Sequence, residues 1–446
     1  MKWPTNKTYF YCQNHGFDIW QQQVHAHASL FAARDEQTWL LFDADSYQFS
    51  VLFFALLAAN KSIVLPQNGQ PEQLAQCLAQ AEAFTGVADN TYAEVAFNIH
   101  IGIEQAVNTV IEVDENAAIR FFTSGSSGVP KAIDKTFSQL LIEVKELEQQ
   151  FSEQMQQTIM VATVSHQHIY GLLFKVLWPL YTGRDVCFNS FDYPEHLLHF
   201  INLQNDSHDF VVISSPAYYH RLVQDNVLVA IKHKLRCLFS SGGPLKTAAA
   251  RQLACQLGDA PIEVLGSTET GGIAWRKQNA HDHWQAFSTI KLKLDDCQRL
   301  IISSPYVDNG QWYQTDDRVQ LLTNNQFNLL GRADRIVKIE EKRCSLDEIS
   351  VKVNQSDWVL DSYVLLLQHD SSTGKRDEIA AVLVLTEVGE QALEQLGKFK
   401  FSQALKTHLK AFFEPLVIPR KYRYLTELPY NSQGKLNKAQ VEKLFD

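Results

Sequence analysis

From about residue 117 the chain alternates short runs rich in β-branched and aromatic residues with longer stretches of helical period, the pattern that parallel strands joined by crossover helices require. Ala118-Ile119-Arg120-Phe121-Phe122 reads as the first clear strand. Thr136 or Ser138 can then cap a helix whose Leu140, Leu141, Val144, Leu147 and Phe151 fall at helical spacing. Strands are expected at 158–164, 185–188, 210–214, 237–240 and 262–265, with helices at 170–181, from Pro194, from Ala217 and at 246–257. A doubly wound α/β sheet follows from this order.

Beyond about residue 285 the helical stretches stop. Short β segments at 290–294, 300–303, 312–313, 319–322 and 327–330 follow one another, which predicts an antiparallel subdomain. After Gly331-Arg332-Ala333-Asp334-Arg335 the remaining chain mixes strands (362–367, 378–385) with a helix (404–413), enough for a separate α+β domain. The fold class expected is therefore α/β: a large N-terminal domain of parallel α/β sheets with an antiparallel β subdomain, then a small α+β C-terminal domain.

Composition narrows the function. With 446 residues, 45 % of them hydrophobic and only 20 % charged, the chain has too much apolar side chain to be disordered. A net charge of −10 and the lack of any long Lys/Arg run argue against nucleic acid as partner. The apolar stretch 49–59 is far short of the roughly 18 to 20 residues of a membrane span and reads as a buried helix. No apolar segment follows Met1-Lys2-Trp3-Pro4, so a cytoplasmic location is expected. The seven cysteines, scattered and without a CxxC pair, predict reduced thiols. His166-Gln167-His168 and His281-Asp282-His283 could each aim two imidazoles one way, but no further ligands are nominated, so pocket-lining and loop roles are expected instead of zinc.

The sharpest local signal is Thr123-Ser124-Gly125-Ser126-Ser127-Gly128-Val129-Pro130-Lys131, directly after the strand of Phe121 and Phe122. Glycines let successive backbone N–H groups turn inward, hydroxyls add donors and Lys131 adds positive charge, which together make a phosphate cradle. A flexible Gly/Ser connector is the plainer alternative. The loop lacks the Gly-Lys-Ser/Thr ending of a Walker A motif.

This loop resembles the signature of the adenylate-forming (AMP-binding) superfamily, which includes acyl-CoA synthetases and aryl-CoA ligases, and further ordered motifs strengthen the resemblance. His168-Ile169-Tyr170-Gly171 is similar to the family's acyl-pocket segment, and Ser241-Gly242-Gly243-Pro244-Leu245 to its adenine-flanking loop. Gly266-Ser267-Thr268-Glu269 matches Gly-x-Thr-Glu. Tyr313-Gln314-Thr315-Asp316-Asp317 matches Thr-Gly-Asp with Asp316 in place of glycine. Gly331-Arg332-Ala333-Asp334 matches the hinge, and Pro429-Tyr430-Asn431-Ser432-Gln433-Gly434-Lys435-Leu436 the C-terminal lysine motif.

The resemblance implies residues 1–330 as the adenylate-forming domain, 331–335 as the hinge about Asp334 and 336–446 as a small mobile α+β C-terminal cap domain. It implies ATP, Mg²⁺ and coenzyme A or phosphopantetheine as cofactors. Nucleotide binding falls to Thr123, Ser124, Gly125, Ser126, Ser127, Gly128, Lys131, Gly242, Gly243, Pro244, Gly266, Ser267, Asp317 and Arg332; His168, Tyr170 and Gly171 line the acyl pocket. Glu269 holds Mg²⁺, Thr268 donates to a phosphate oxygen, and Lys435 bridges carboxylate and α-phosphate. The implied activity is ATP-dependent conversion of a fatty or aromatic carboxylic acid to an acyl-adenylate, then a thioester with coenzyme A or a carrier-protein pantetheine. Adenylation feeding an acyl carrier protein only, and a non-catalytic nucleotide-binding relative, are the alternatives.

Four departures stand out. Leu265 replaces an aromatic residue before Gly-x-Thr-Glu, Glu341 replaces a glycine of the pantetheine tunnel, and the region before Thr123 is short for the family. No aspartate lies in 166–171, which disfavours amino-acid substrates.

Overall fold

The computed structural model describes residues 2–3, 7–87, 110–123, 131–307, 310–339, 342–368, 377–430 and 436–446. Their contacts divide the chain into a first unit, Met1–Lys291 with Ser303–Tyr313, and a second, Leu292–Ile302 with Gln314–Asp446.

The first unit carries two sheets. Short strands β1 (Tyr9–Phe10) and β2 (His15–Gly16) precede helix α1 (Phe17–Ala32). Then come β3 (Thr38–Leu41), α2 (Ser46–Ala58), β4 (Ser62–Leu65), α3 (Pro71–Leu78), β5 (Ala83–Thr85), β6 (Ala118–Thr123) and β7 (Lys131–Thr136). Strands β5-β3-β4-β6-β7 form one sheet in that order, parallel except for β7. Helix α2 is apolar on every side and accordingly buried almost throughout, with Asp45 accepting the N–H groups of Tyr47 and Gln48 at its start. Helix α4 (Phe137–Phe151) begins in a capping box between Thr136 and Gln139, and its Leu140, Leu141, Val144, Leu147 and Phe151 are all buried.

The second sheet takes up the alternation expected from sequence. In chain order it has β8 (Thr158–Ala162), α5 (Ile169–Gly171), α6 (Trp178–Thr182), β9 (Asp185–Ser190), α7 (Pro194–Leu203), β10 (Asp209–Ser214) and α8 (Pro216–Asp225). It continues with β11 (Leu235–Ser240), α9 (Thr247–Leu257), β12 (Ile262–Ser267), β13 (Gly271–Lys277) and β14 (Trp284–Ala286). The order is β14-β13-β12-β11-β10-β8-β9-β1-β2, parallel from β12 to β1. Because those strands run one way, the segments after β8, β11 and β12 emerge at one carboxyl edge, where open α/β sheets bind ligands. The helix expected at 170–181 is present, its middle, Leu172–Leu177, wound as a π-helix between α5 and α6.

One expectation is corrected. Cys12 and Cys187 are joined by a disulfide with Cα atoms 5.3 Å apart, whereas the scattered spacing suggested reduced thiols. Pairing of β1 with β9, Phe10 opposite Val186, brings together two cysteines 175 residues apart, which no local spacing can reveal. Cys77, Cys237, Cys255, Cys297 and Cys344 are free.

In the second unit β15 (Lys291–Leu294), β16 (Arg299–Ser303), β17 (Trp312–Leu321) and β18 (Gln326–Arg332) lie in that order. The β segments expected at 312–313 and 319–322 are thus one long strand. A pair, β19 (Ile336–Ile339) and β20 (Lys342–Ser345), leads into α10 (Leu346–Val353). A three-stranded sheet follows, with β21 (Val359–Leu367), β22 (Glu378–Leu385) and β23 (Lys421–Leu425) in order β21-β22-β23. Helix α11 (Glu387–Leu409) is broken at Gly397, whose φ of 70° only glycine adopts freely. Its second half packs Phe401, Leu405 and Leu409 into a core with Ile349, Val364 and Leu383. Helix α12 (Lys438–Glu442) comes last. No helix among the described residues is long and apolar enough to cross a membrane.

Candidate functional site

The first cluster sits on the hairpin between β12 and β13. Ser267 pairs with Gly271 across it, so 268–270 form its tip. The tip is tied internally: Ser267 N–H donates to Thr270 Oγ1 at 3.0 Å, and Thr270 Oγ1 donates to the Gly271 carbonyl at 2.8 Å. This hairpin presents Glu269 and Thr268 at the carboxyl edge of β12. Lys131, the first residue of β7, reaches Glu269 with Nζ 3.3 Å from Oε1. Partial burial alone would raise the Glu269 carboxyl. Its own backbone amide, the Ser267 hydroxyl and the Lys131 ammonium outweigh that and hold it below the usual range, so it is an anion at neutral pH.

Underneath the tip lies a second lysine that sequence reading passed over. Lys135 is buried, and its Nζ donates to the Glu269 carbonyl at 2.8 Å and the Tyr306 carbonyl at 2.7 Å. Residues 131 and 135 are four apart on β7, and the strand's period of two puts both on one face, the signal that could have found it. Buried Glu143 of α4 accepts the Gly272 N–H at 2.6 Å, and burial pushes its carboxyl up to about 7 against the pull of Gly272 and Lys135. Glycine is required at 271: φ is +65°, and a Cβ would lie 2.7 Å from Glu143 Oε2.

Along the same edge, Ser241 Oγ donates to the Val264 carbonyl at 2.8 Å, which fixes the start of the 241–245 loop between β11 and α9. Gly242, Gly243 and Pro244 are exposed there, with Gly242 at φ +87°. Beyond β8, Tyr170 donates to the Ser214 carbonyl at 3.1 Å, and burial raises its phenol well above the ordinary value, so it stays a donor. Gly171 is dictated by space, because a Cβ would meet the Ser165 carbonyl oxygen at 2.0 Å. His168 caps this turn half-buried beside them, while its neighbour His166 is consumed by structure. Its Nδ1 is 2.8 Å from Ser46 Oγ and its Nε2 2.9 Å from the Asp43 carbonyl, with burial lowering it to about 3. His281 and His283 stack in the loop before β14, as expected.

The second unit holds the other cluster. Asp317 on β17 lies opposite Arg332 on β18, beside a bulge at which the register shifts between Arg318 and Val319. The Arg332 guanidinium donates twice to Asp334, Nε at 2.8 Å and an Nη at 3.0 Å, and also approaches Asp316 at 3.3 Å and Asp317 at 3.7 Å. Burial raises the Asp317 carboxyl; Arg332 opposes that, and the neighbouring aspartates add to it. Asp334 goes the other way: burial would raise it, but the hydrogen bonds from Arg332 together with the charges of Arg332, Lys438 and Arg335 hold it below the usual range. Asp347 of α10 accepts the Arg332 N–H at 3.2 Å and pairs with Arg335 at 2.8 Å. Asp347 and Asp316 are members that sequence reading did not assign.

Thr123 is at the end of β6, its Oγ1 3.4 Å from the Lys131 carbonyl oxygen. Ser124, Gly125, Ser126, Ser127, Gly128, Glu341 and Lys435 lie outside the described residues. Among the described residues no group of three His, Cys, Asp or Glu can hold a metal by itself. The oxygen donors at Glu269 and Ser267 nevertheless suit Mg²⁺, which takes one or two carboxylates and completes its shell with phosphates and water.

The sequence matches the family model described as AMP-binding enzyme over residues 21–309. The chain belongs to the AMP-binding enzymes and is a carboxylic-acid-activating ligase of the acyl-CoA synthetase type. It is 25 % identical over 331 residues to a 4-coumarate–CoA ligase of Halorhodospira halophila, covering 72 % of this chain and 75 % of that protein. It is 23 % identical over 364 residues to a D-alanine–D-alanyl carrier protein ligase of Staphylococcus aureus, covering 75 % and 72 %. The fold is shared with ATP-bound MatB from Rhodopseudomonas palustris (TM-score 0.81, 16 % identity, 97 % and 94 % of the chains). A benzoate CoA ligase from Burkholderia xenovorans LB400 also shares it (TM-score 0.75, 15 % identity, 99 % and 97 %).

Proposed function

We propose that the chain activates an aromatic or fatty carboxylic acid with Mg·ATP in the cytoplasm, and passes the acyl group from the adenylate to a pantetheine thiol. The observation that carries this reading is the Lys131–Glu269 pair on the hairpin tip: an anionic carboxylate and an ammonium, 3.3 Å apart, at the carboxyl edge of the parallel sheet. Attack of a carboxylate on the α-phosphorus of ATP expels pyrophosphate, so charge on three phosphates and on the incoming anion must be balanced. Magnesium, when bound, supplies that balance at the phosphates.

The chain's own residues do the rest. Glu269 with Ser267 offers oxygen donors to the metal, Thr268 donates to a phosphate oxygen, and Lys131 gives its charge to the phosphates, leaving Glu269 free. Thr123, Ser124, Gly125, Ser126, Ser127 and Gly128 cradle the phosphates through backbone and hydroxyl donors. Gly242, Gly243, Pro244 and Gly266 flank the adenine, where Leu265 supplies aliphatic contact. Asp317 accepts both ribose hydroxyls, since one carboxylate has two oxygens for a vicinal diol. Arg332 lends a guanidinium to the nucleotide and Lys435 the bridging ammonium. His168, Tyr170 and Gly171 border the acid. We assign 1–330 to adenylation, 331–335 to the hinge about Asp334, and 336–446 to the cap.

The test is pyrophosphate exchange into ATP with a panel of aromatic and fatty acids. Exchange that depends on one acid class, and falls by about two to three orders of magnitude in Lys435→Ala, is expected. Absence of exchange with every acid overturns the reading.

A further inference from the structure

Helix α11 segregates its charge about the Gly397 kink. Its first half, before Gly397, carries Glu387, Glu390 and Glu394 and no basic residue; the second half carries Lys398, Lys400 and Lys406, with Lys410 at its C-cap, and no acidic residue. Charge of this sign near a helix C-terminus is favourable, which accounts for Lys406 and Lys410. The same electrostatics disfavour Lys398 and Lys400, which open the second half immediately after the kink. Between them Phe399 is 75 % exposed, although the other phenylalanine of this turn, Phe401, is fully buried. Positions 399, 403, 406 and 410 recur at helical spacing, so Phe399, Gln403, Lys406 and Lys410 share one face, opposite the Phe401, Leu405 and Leu409 face that packs into the core. An exposed apolar side chain flanked in sequence by Lys398 and Lys400, with Lys406 and Lys410 further along its own face, makes a locally basic surface on a chain whose net charge is −10.

We propose that this face of α11 docks an acidic carrier protein, so that the pantetheine thiol arrives on a protein and not as free coenzyme A. The proposal rests on the thioester-forming reading above and names its partner. Charge complementarity chooses the occupant. The lysines of this half-helix attract an acidic carrier that the net negative charge of the whole chain disfavours, which supplies both steering and register. Phe399 gives the apolar anchor that such a contact needs at its centre. A second copy of this chain, itself acidic, is the competing occupant.

The experiment uses the full chain with Phe399→Ala, Lys406→Glu and Lys410→Glu combined, none of which belongs to the catalytic machinery. Acyl transfer is followed to the holo form of an acidic acyl carrier protein and, separately, to coenzyme A, with pyrophosphate exchange measured in parallel. The expected result is a fall of at least about tenfold in kcat/KM for the carrier, chiefly through KM, with exchange and any transfer to coenzyme A unchanged. Raising salt should weaken the wild-type carrier reaction and leave the variant's nearly flat. Equal carrier transfer by variant and wild type overturns the proposal, as does a change in oligomeric state on mutation. If the wild type shows no exchange, the functional reading fails instead. Titration of the labelled holo carrier with wild type and variant then decides docking alone: binding lost in the variant upholds it, and binding unaltered or absent refutes it.

Discussion

Lys135 Nζ donates to the carbonyl oxygen of Glu269 at 2.8 Å. One lysine of β7 therefore holds the backbone of the hairpin tip while the other, Lys131, faces its side chain. Replacing Lys135 by methionine keeps the stem but strips the donor from the buried Tyr306 carbonyl, at roughly 1–3 kcal/mol, and from the part-buried Glu269 carbonyl, at less. Lys135→Met is expected to raise KM for Mg·ATP and lower pyrophosphate exchange by about 10- to 100-fold, because a misplaced tip costs catalysis without removing a reacting group. Lys135→Arg should recover part of the loss. A thermal melt run beside the kinetics separates the two effects: a lower Tm with unaltered KM would show the contact to be structural only.

Glu269 itself can be dissected through its charge. Glu269→Gln keeps the shape of the tip but removes the anion that pairs with Lys131, so exchange should fall by about two orders of magnitude or more. Lys131→Met should act mainly on nucleotide affinity, seen as weaker binding of ATP in a calorimetric titration. If both variants bind and turn over ATP as the wild type does, the pair is a surface ion pair worth little.

Much of this architecture is legible in the sequence because its signals are local. The α4 capping box, the apolar period of Leu140 to Phe151 and the β-rich runs at β8 to β12 each depend on neighbours within a dozen residues. What sequence misses depends on the sheet order. Lys135 looks like one more exposed strand lysine until β12 and β13 are placed beside β7, and Cys12 finds Cys187 only through the parallel pairing of β1 with β9. Asp316 appears as a departure from a motif, yet it and Asp334 flank one guanidinium. The tetrad of carboxylates about Arg332 is made by strand register and a helix start, which no spacing rule encodes.

Two buried titratable groups should make stability depend on pH in opposite directions. Burial lowers Lys175 to about 7 from 10.5, with one hydrogen bond, to Ser190, among the described residues. Between those values the unfolded chain carries a proton that the folded chain lacks, so this group makes stability rise with pH from about 7 to 10.5. Glu143, raised to about 7 from 4.5, keeps a proton in the fold that the unfolded chain has lost, so its contribution is full below 4.5 and declines as pH rises to 7. Lys175→Met should raise Tm at pH 7 by about 2–4 °C and flatten the alkaline rise. Glu143→Gln should flatten the acid side. Denaturant unfolding at a series of pH values checks both slopes, and a Lys175→Met protein less stable than wild type would contradict the first.

Gly171 tests whether the 168–171 turn borders the acid. A Cβ there would sit 2.0 Å from the Ser165 carbonyl oxygen, far inside contact distance, and backbone on that side cannot rotate away as a flexible side chain would. Gly171→Ala must therefore move either the 165–168 segment or the turn that carries His168 and Tyr170. Overpacking of this kind costs about 1–3 kcal/mol and should appear as a lower Tm. The functional consequence is specific: displacement of Tyr170 would shift its donor from the Ser214 carbonyl and, under the proposed role of this turn, reshape the acyl pocket. The preference among acids in the exchange assay should change, with KM for the acid rising and KM for ATP left alone. A variant that loses stability yet keeps the wild-type ranking of acids would remove this turn from the acyl pocket.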